Sequence, residues 1–331
     1  MWKRWFARKT AQPIESNQPR LFGKLPGRDD FVRIGDQDAN TMVLAKWLQE
    51  GMNMLGRRIG AAGSMDSLAF PVTRFLWMGA SDAPASTGVI VPSRDRAGRA
   101  YPAVIHRLSR LEGEPMSAVQ ASMNNGFLDA ATHWWEGLKS DLDRPAVEQS
   151  LASLAPTVGS RDPGVLLEAL AQTLRSSRTD ELAERWFPDD PARQMRDFVA
   201  GMDALRRVLQ DRDAARLKWG VRLPIAARAT GHRCVFFWLS LFDALFRDVR
   251  CRLHAFWSWP REGRPGEICV FFGPPPAAYF LELIGVSAPN ATTMNVTTHF
   301  RGLGMESAET TELPSCSLLE LMYHWSRGVG R

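Results

Sequence analysis

Four carboxylates, Asp29, Asp30, Asp36 and Asp38, crowd into ten positions near the start of the chain. Carboxylate oxygens are the ligands that Mg²⁺ takes, so a metal-dependent hydrolase is the first chemistry to weigh. Adjacent carboxylates in extended chain point to opposite sides, however, and Arg28 and Arg33 stand beside them to neutralise their charge. His232-x-Cys234 and Cys251-x-x-His254 are zinc-ligand types, but the second pair falls on a predicted strand, where residues three apart face opposite ways. Ser93 followed by Asp95 offers a hydroxyl and a carboxylate. The nearest imidazole, His106, lies about a strand length away, and Ser and Asp at this spacing are the types that bond their own backbone in turns. His133, His299 and His324 stand alone, and neither a glycine-rich phosphate loop nor a G-x-S-x-G elbow occurs. These residues predict no catalytic set, no metal and no cofactor: a protein that is not an enzyme and acts by binding.

The chemistry left over is ionic. Arg28, Asp29, Asp30 and Arg33 alternate in sign along one loop, and Arg94, Asp95, Arg96 and Arg99 fall within six positions of another. Such groups stay charged only where they face water or a partner. The two loops are predicted to form neighbouring charged faces, with Asp95 and Arg99 spaced to pair with each other.

The elements that must position these loops can be read from apolar spacing. Val89–Val91 and Ala103–Ile105 are apolar at consecutive positions, which predicts a hairpin over Thr87–His106 with both faces covered. Ser93, Asp95 and Gly98 supply its turn. Gly23, Pro26 and Gly27 make Leu21–Arg33 a short extended piece running into a shaped loop. Val43, Leu44, Trp47, Leu48, Met52, Leu55 and Ile59 predict an amphipathic helix from Thr41, capped by Asn40 or Thr41 and stopped at Gly60. A strand follows over Phe70–Met78, then one long helix from Met116 to Leu138. Proline-led helices begin near Pro145, Pro163 and Pro191, the last two capped by Asp162 and Asp190. Val221–Ile225 reads as a strand, and Val235–Val249 as a helix with Asp243 and Arg247 paired at i,i+4. Leu253–Trp257 and Ile268–Phe272 form a second hairpin, followed by a helix over Ala277–Ile284, a loop-rich Asn290–Pro314 and a last helix near Leu318–Trp325. Strands covered on both faces between helix layers give an α/β fold: a three-layer α/β/α sandwich around a central mixed, largely antiparallel sheet.

Bulk numbers narrow the partners. The chain has 331 residues, 45% hydrophobic and 23% charged, and a formal charge of +5. Lys3, Arg4, Arg8, Lys9 and Arg20 against Glu15 place most of that excess in the first 20 residues. The rest is nearly balanced, which argues against nucleic acid as a partner. Trp2, Trp5 and Phe6 beside these cations form a basic aromatic arm: the plainer reading is a frayed terminus, and the functional one is an acidic partner or peripheral membrane proximity through residues 1–10. Residues 12–19 read as a linker. No run approaches the roughly 18 apolar residues of a bilayer span. The four cysteines lack paired short spacing and the start lacks a secretory apolar core, so a reducing cytoplasm is expected.

F-G-K-L-P-G-R-D-D-F-V-R at Phe22–Arg33, L-A-K-W-L-Q-E-G-M at Leu44–Met52, F-P-V-T-R-F at Phe70–Phe75 and G-V-I-V-P-S-R-D-R-A-G-R-A-Y-P at Gly88–Pro102 resemble, in order, the TagF (ImpM) family of type VI secretion proteins. Looser resemblance continues in V-R-L-P-I at Val221–Ile225, F-F-W-L at Phe236–Leu239 and F-W-S-W at Phe256–Trp259. The chain departs from the family pattern at Asp29, where glycine usually precedes the motif aspartate, so this loop is expected to be shaped differently. The resemblance implies a cytoplasmic, non-enzymatic α/β/α sandwich that represses type VI secretion after translation by binding a forkhead-associated scaffold protein at the inner-membrane complex. A structural adaptor at the inner-membrane base of the apparatus is the alternative, with a metal-dependent hydrolase the less favoured one. On the charge of the two loops, Lys24, Arg28, Asp29, Asp30, Arg33, Arg94, Asp95, Arg96 and Arg99 are the expected partner-binding residues. The domain plan is a flexible arm over 1–19, one α/β domain over 20–287 with a helical insert at about 140–215, and a C-terminal loop and short helix over 288–331.

Overall fold

The computed structural model describes residues 13–36, 38–59, 70–79, 84–111, 117–154, 163–187, 190–210, 217–225, 228–245, 252–262, 264–287, 291–296 and 315–327. The basic aromatic arm, Asp162, Arg247 and Cys251 lie outside them.

Among the described residues nine strands form one sheet. They are β1 (Pro13–Gly23), β2 (Val32–Ile34), β3 (Thr73–Trp77), β4 (Ala85–Val91), β5 (Ala103–Leu111), β6 (Gly220–Ile225), β7 (His254–Ser258), β8 (Gly266–Phe271) and β9 (Thr293–Asn295). Their spatial order is β2-β1-β5-β4-β3-β7-β8-β6-β9, antiparallel throughout except for β6 with β9. The expected α/β architecture with a largely antiparallel sheet is present.

The sheet separates two apolar layers, which explains the consecutive apolar residues in its strands. On β4, Val89 and Val91 enter one core while Ile90 enters the other; on β5, Ala103 and Ile105 oppose Val104 in the same way. Phe75 and Trp77 of β3 join the Ile90 side and Leu76 the Val89 side. The Ile90 side is roofed by α1 (Ala39–Ile59). Trp47 of that helix lies 5.7 Å from the Trp77 ring and 5.4 Å from Phe256, and its Nε1 donates to Pro276 O at 3.1 Å. The opposite layer is built from α2 (Ser117–Met123), α3 (Asn125–Glu136), α4 (Arg144–Ala152), α5 (Pro163–Ser176), α6 (Thr179–Trp186), α7 (Pro191–Gln210), α8 (Arg228–Leu245) and, after the short α9 (Tyr279–Leu283) on the α1 side, α10 (Leu318–Arg327).

Several local expectations are corrected. Residues 13–19, expected as linker, belong to β1: Pro13–Ser16 pair with Leu111–Leu108 of β5, and a bulge before Arg20 absorbs Asn17, Gln18 and Pro19. Asp38, not Asn40 or Thr41, caps α1, its Oδ1 accepting from Asn40 N at 2.8 Å and Thr41 N at 3.1 Å. The long helix over 116–138 is two helices, because the Asn124 side chain turns back to Gln120 O at 2.7 Å and its Oδ1 accepts from the Arg107 guanidinium at 2.5 Å. Asp243 accepts from Ala118 N at 3.0 Å and so holds the start of α2. The loop-rich segment after Asn290 contains β9. Arg222 of β6 bonds Glu267 and Glu282, and Glu282 also accepts from Thr292 N and Oγ1, both at 2.8 Å, which pins that edge strand down.

Candidate functional site

β1 and β5 are antiparallel neighbours, so the end of β1 and the start of β5 reach the same end of the sheet. The connections leaving there, residues 24–31 and 92–102, are the two charged loops. Two glycines let them close. Gly23 has φ 132° and passes so near Pro102 that a Cβ would sit 2.3 Å from its carbonyl oxygen. Gly27 has φ 74°, and a Cβ there would sit 1.8 Å from Ser140 O.

Asp95 is the hub of the arrangement. Its side chain is 0% exposed, and its Oδ2 accepts from Lys24 Nζ at 2.5 Å and Arg99 Nε at 2.7 Å while Oδ1 accepts from Arg99 N at 2.8 Å. Burial alone would raise its pKa. The hydrogen bonds from Lys24 and from the backbone and side chain of Arg99, with the Lys24 charge, pull it down to about 2 instead. The backbones are joined as well: Arg96 N donates to Arg28 O at 2.7 Å and Ser93 Oγ to Lys24 O at 2.6 Å. Arg96 also donates to Gly27 O through Nε (3.1 Å) and Nη2 (2.7 Å), and Arg99 Nη2 donates to Asp29 O at 2.6 Å. Two loops far apart in sequence thus form one platform. Asp29 contributes its carbonyl to Arg99 and its carboxylate to Arg96 at 3.4 Å.

All nine expected residues come to this end of the sheet, in different roles. Lys24 and Asp95 are internal, and Ser93 is a brace. Arg28 turns away to donate to Leu142 O at 2.8 Å, and Arg94 donates to Gly98 O at 3.3 Å. Arg96, Arg99, Arg33, Asp29 and Asp30 are exposed. Arg96 and Arg99 keep 66% and 62% of their side-chain surface in water although each is tethered. Phe31, which lies in the Phe22–Arg33 motif but is not among the expected contact residues, joins them. Exposed by 38%, its ring meets Tyr101 edge-on at 5.2 Å and carries the Arg33 guanidinium at 5.3 Å. Burial pushes the Tyr101 hydroxyl up to about 12, against the pull of Arg33, so it stays neutral.

The other reactive types have structural partners. The four early carboxylates do not converge: Asp38 caps α1 and pairs with Arg20, Asp36 contributes its carbonyl to Arg20, and Asp29 faces Arg96. Ser86 Oγ lies 2.9 Å from His106 Nδ1, but both are wholly buried, and burial followed by the Arg20 charge lowers the imidazole to about 3. His254 is likewise buried beside Trp77 and lowered to about 3, whereas His232 lies against Trp259 and Asp129. Among the described residues no group of three His, Cys, Asp or Glu is placed to hold a metal ion, and no helix is long and apolar enough to cross a membrane.

Residues 20–154 match the family model of the TagF N-terminal domain, type VI secretion system-associated. Both charged loops, and the β4–β5 hairpin that carries one of them, fall inside that span. No curated protein matches the chain. Among solved structures the chain is similar to PA0076 from Pseudomonas aeruginosa PAO1, at 18% identity and a TM-score of 0.47, over 82% of this chain and 96% of that one.

Proposed function

Since residues 20–154 belong to the TagF N-terminal domain family, associated with type VI secretion, we propose that the chain is a non-enzymatic accessory protein that represses type VI secretion after translation by binding the system's forkhead-associated scaffold protein. The observation carrying this reading is the platform. Asp95 fixes two loops separated by some seventy residues into one body and leaves tethered arginines pointing outward. Rigid, exposed arginines bind without first paying much side-chain entropy, which is what a protein contact needs and a reaction does not supply. The absence of enzymatic activity is supported by the destination of the reactive types: Ser86 and His106, within bonding distance of each other, lie in the core, with the imidazole neutral. A cytoplasmic site of action, beside the inner-membrane complex, follows from the proposed partner.

The test is paired. In solution, the purified chain is titrated with the forkhead-associated scaffold protein of the same system. In cells, the chain is overproduced and the release of secreted proteins measured. Saturable binding together with reduced release at unchanged scaffold abundance supports the proposal. Binding without reduced release removes the repressor role, and no binding at micromolar concentration removes the partner.

A further inference from the structure

Phe31 is out of place for a solvated loop. It is the one aromatic among the exposed large hydrophobics of the described residues, the others being Met42, Val43 and Val165, and it belongs to neither core. Its ring is not adrift: buried Tyr101 holds one edge, and Arg33 lies over a face with its guanidinium exposed to water. A fixed aromatic with an arginine stacked on it combines two of the residue types that dominate binding hot spots, already in place before any partner arrives.

The surroundings define what this anchor fits. Lys24 and Asp95 neutralise each other inside the platform. Among the exposed charges at this end of the sheet that leaves Arg33, Arg96 and Arg99 against Asp29 and Asp30, a positive balance. Asp29 and Arg96 pair with each other at 3.4 Å, which leaves Arg33 and Arg99 against Asp30.

We infer that Phe31, with Arg33 over its ring, is the anchor of the docking surface and enters an apolar pocket on a partner protein whose rim carries carboxylates. The inference deepens the docking reading above, and its test separates the two. In the full chain Phe31 is replaced by a photo-crosslinking phenylalanine analogue, with Val165, exposed by 52% and apolar, replaced in a control. Cells with an active type VI system are irradiated and the joined residue is mapped by mass spectrometry. The expected adduct is to an apolar residue flanked by Asp or Glu. If that residue lies on the forkhead-associated scaffold, both readings stand; if it lies on another protein, the anchor stands and the scaffold reading fails. No adduct above the Val165 control, or one mapped to a surface without carboxylates, overturns the anchor. Affinity for the captured protein is then measured. Phe31→Ala is expected to weaken it about 30-fold and Arg33→Glu at least about 10-fold, with Phe31→Trp near wild type. Unchanged affinity in Phe31→Ala likewise overturns the inference.

Discussion

Asp95 is buried and Asp243 half-buried, and the environments of these two carboxylates act in opposite directions. Asp95 titrates at about 2, below the ordinary 3.8, because Lys24 and Arg99 hold its charged form. As pH falls, the unfolded chain takes up that proton first, so the stability the group supplies is complete above about pH 4 and is lost between there and 2. Amide signals of residues 94–99 followed by NMR are expected to broaden in that window, and Asp95→Asn is expected to show the loosened tip already at pH 7. Asp243 titrates at about 6, burial outweighing the hydrogen bonds from Ala118 and Ser117. The folded chain therefore holds a proton that the unfolded chain has released, and stability falls as pH rises from about 4 through 6. Asp243→Asn, which keeps an acceptor for Ala118, is expected to gain about 1–3 kcal/mol at pH 7 and nothing near pH 4, read by urea unfolding at both. At this scale the sequence is half legible. Asp95 and Arg99 pair across a short turn, as their spacing indicates. Lys24 reaches Asp95 from 71 positions away, and that depends on the β1–β5 register, which no local pattern encodes.

The platform depends on how two loops leave the sheet, and Gly27 sets the tighter of the two approaches. Gly27→Ala combines a left-handed φ with a Cβ pressed against the Ser140 backbone. It is expected to cost at least about 2 kcal/mol and to free Arg96 from Gly27 O, as seen in chemical denaturation and in the amide signal of Arg96. Elements with strong periodicity were readable: α1 from its three-and-four spacing, β4 and β5 from unbroken apolar runs that two cores explain. β1 was not, because P-I-E-S-N-Q-P-R carries no alternation and becomes a strand only by pairing with β5. The division between α2 and α3 was hidden for the converse reason: the apolar period runs on through Asn124, while the bonds of Asn124 to Arg107 and Gln120 interrupt the helix.

At the scale of the molecule, the family span ends at 154 while the sheet continues. β3 pairs with β7 through Arg74, Phe75 and Leu76, Trp47 packs on Phe256 and Phe280, and α2 starts on Asp243. A fragment ending at residue 154 opens the middle of the sheet and strips both cores, so it is expected to aggregate or stay loosely packed, whereas the full chain unfolds in one transition by fluorescence and circular dichroism alike. That continuity makes the platform a rigid end of a large body, and the central claim is that this end binds the scaffold. The most direct measurement is the affinity of the forkhead-associated scaffold protein for the full chain and for an Arg96→Glu, Arg99→Glu variant, with urea unfolding showing that the fold survives. The account predicts affinity at least about 10-fold weaker and a shallower salt dependence in the variant. Equal affinity and equal salt dependence in a folded variant would contradict it.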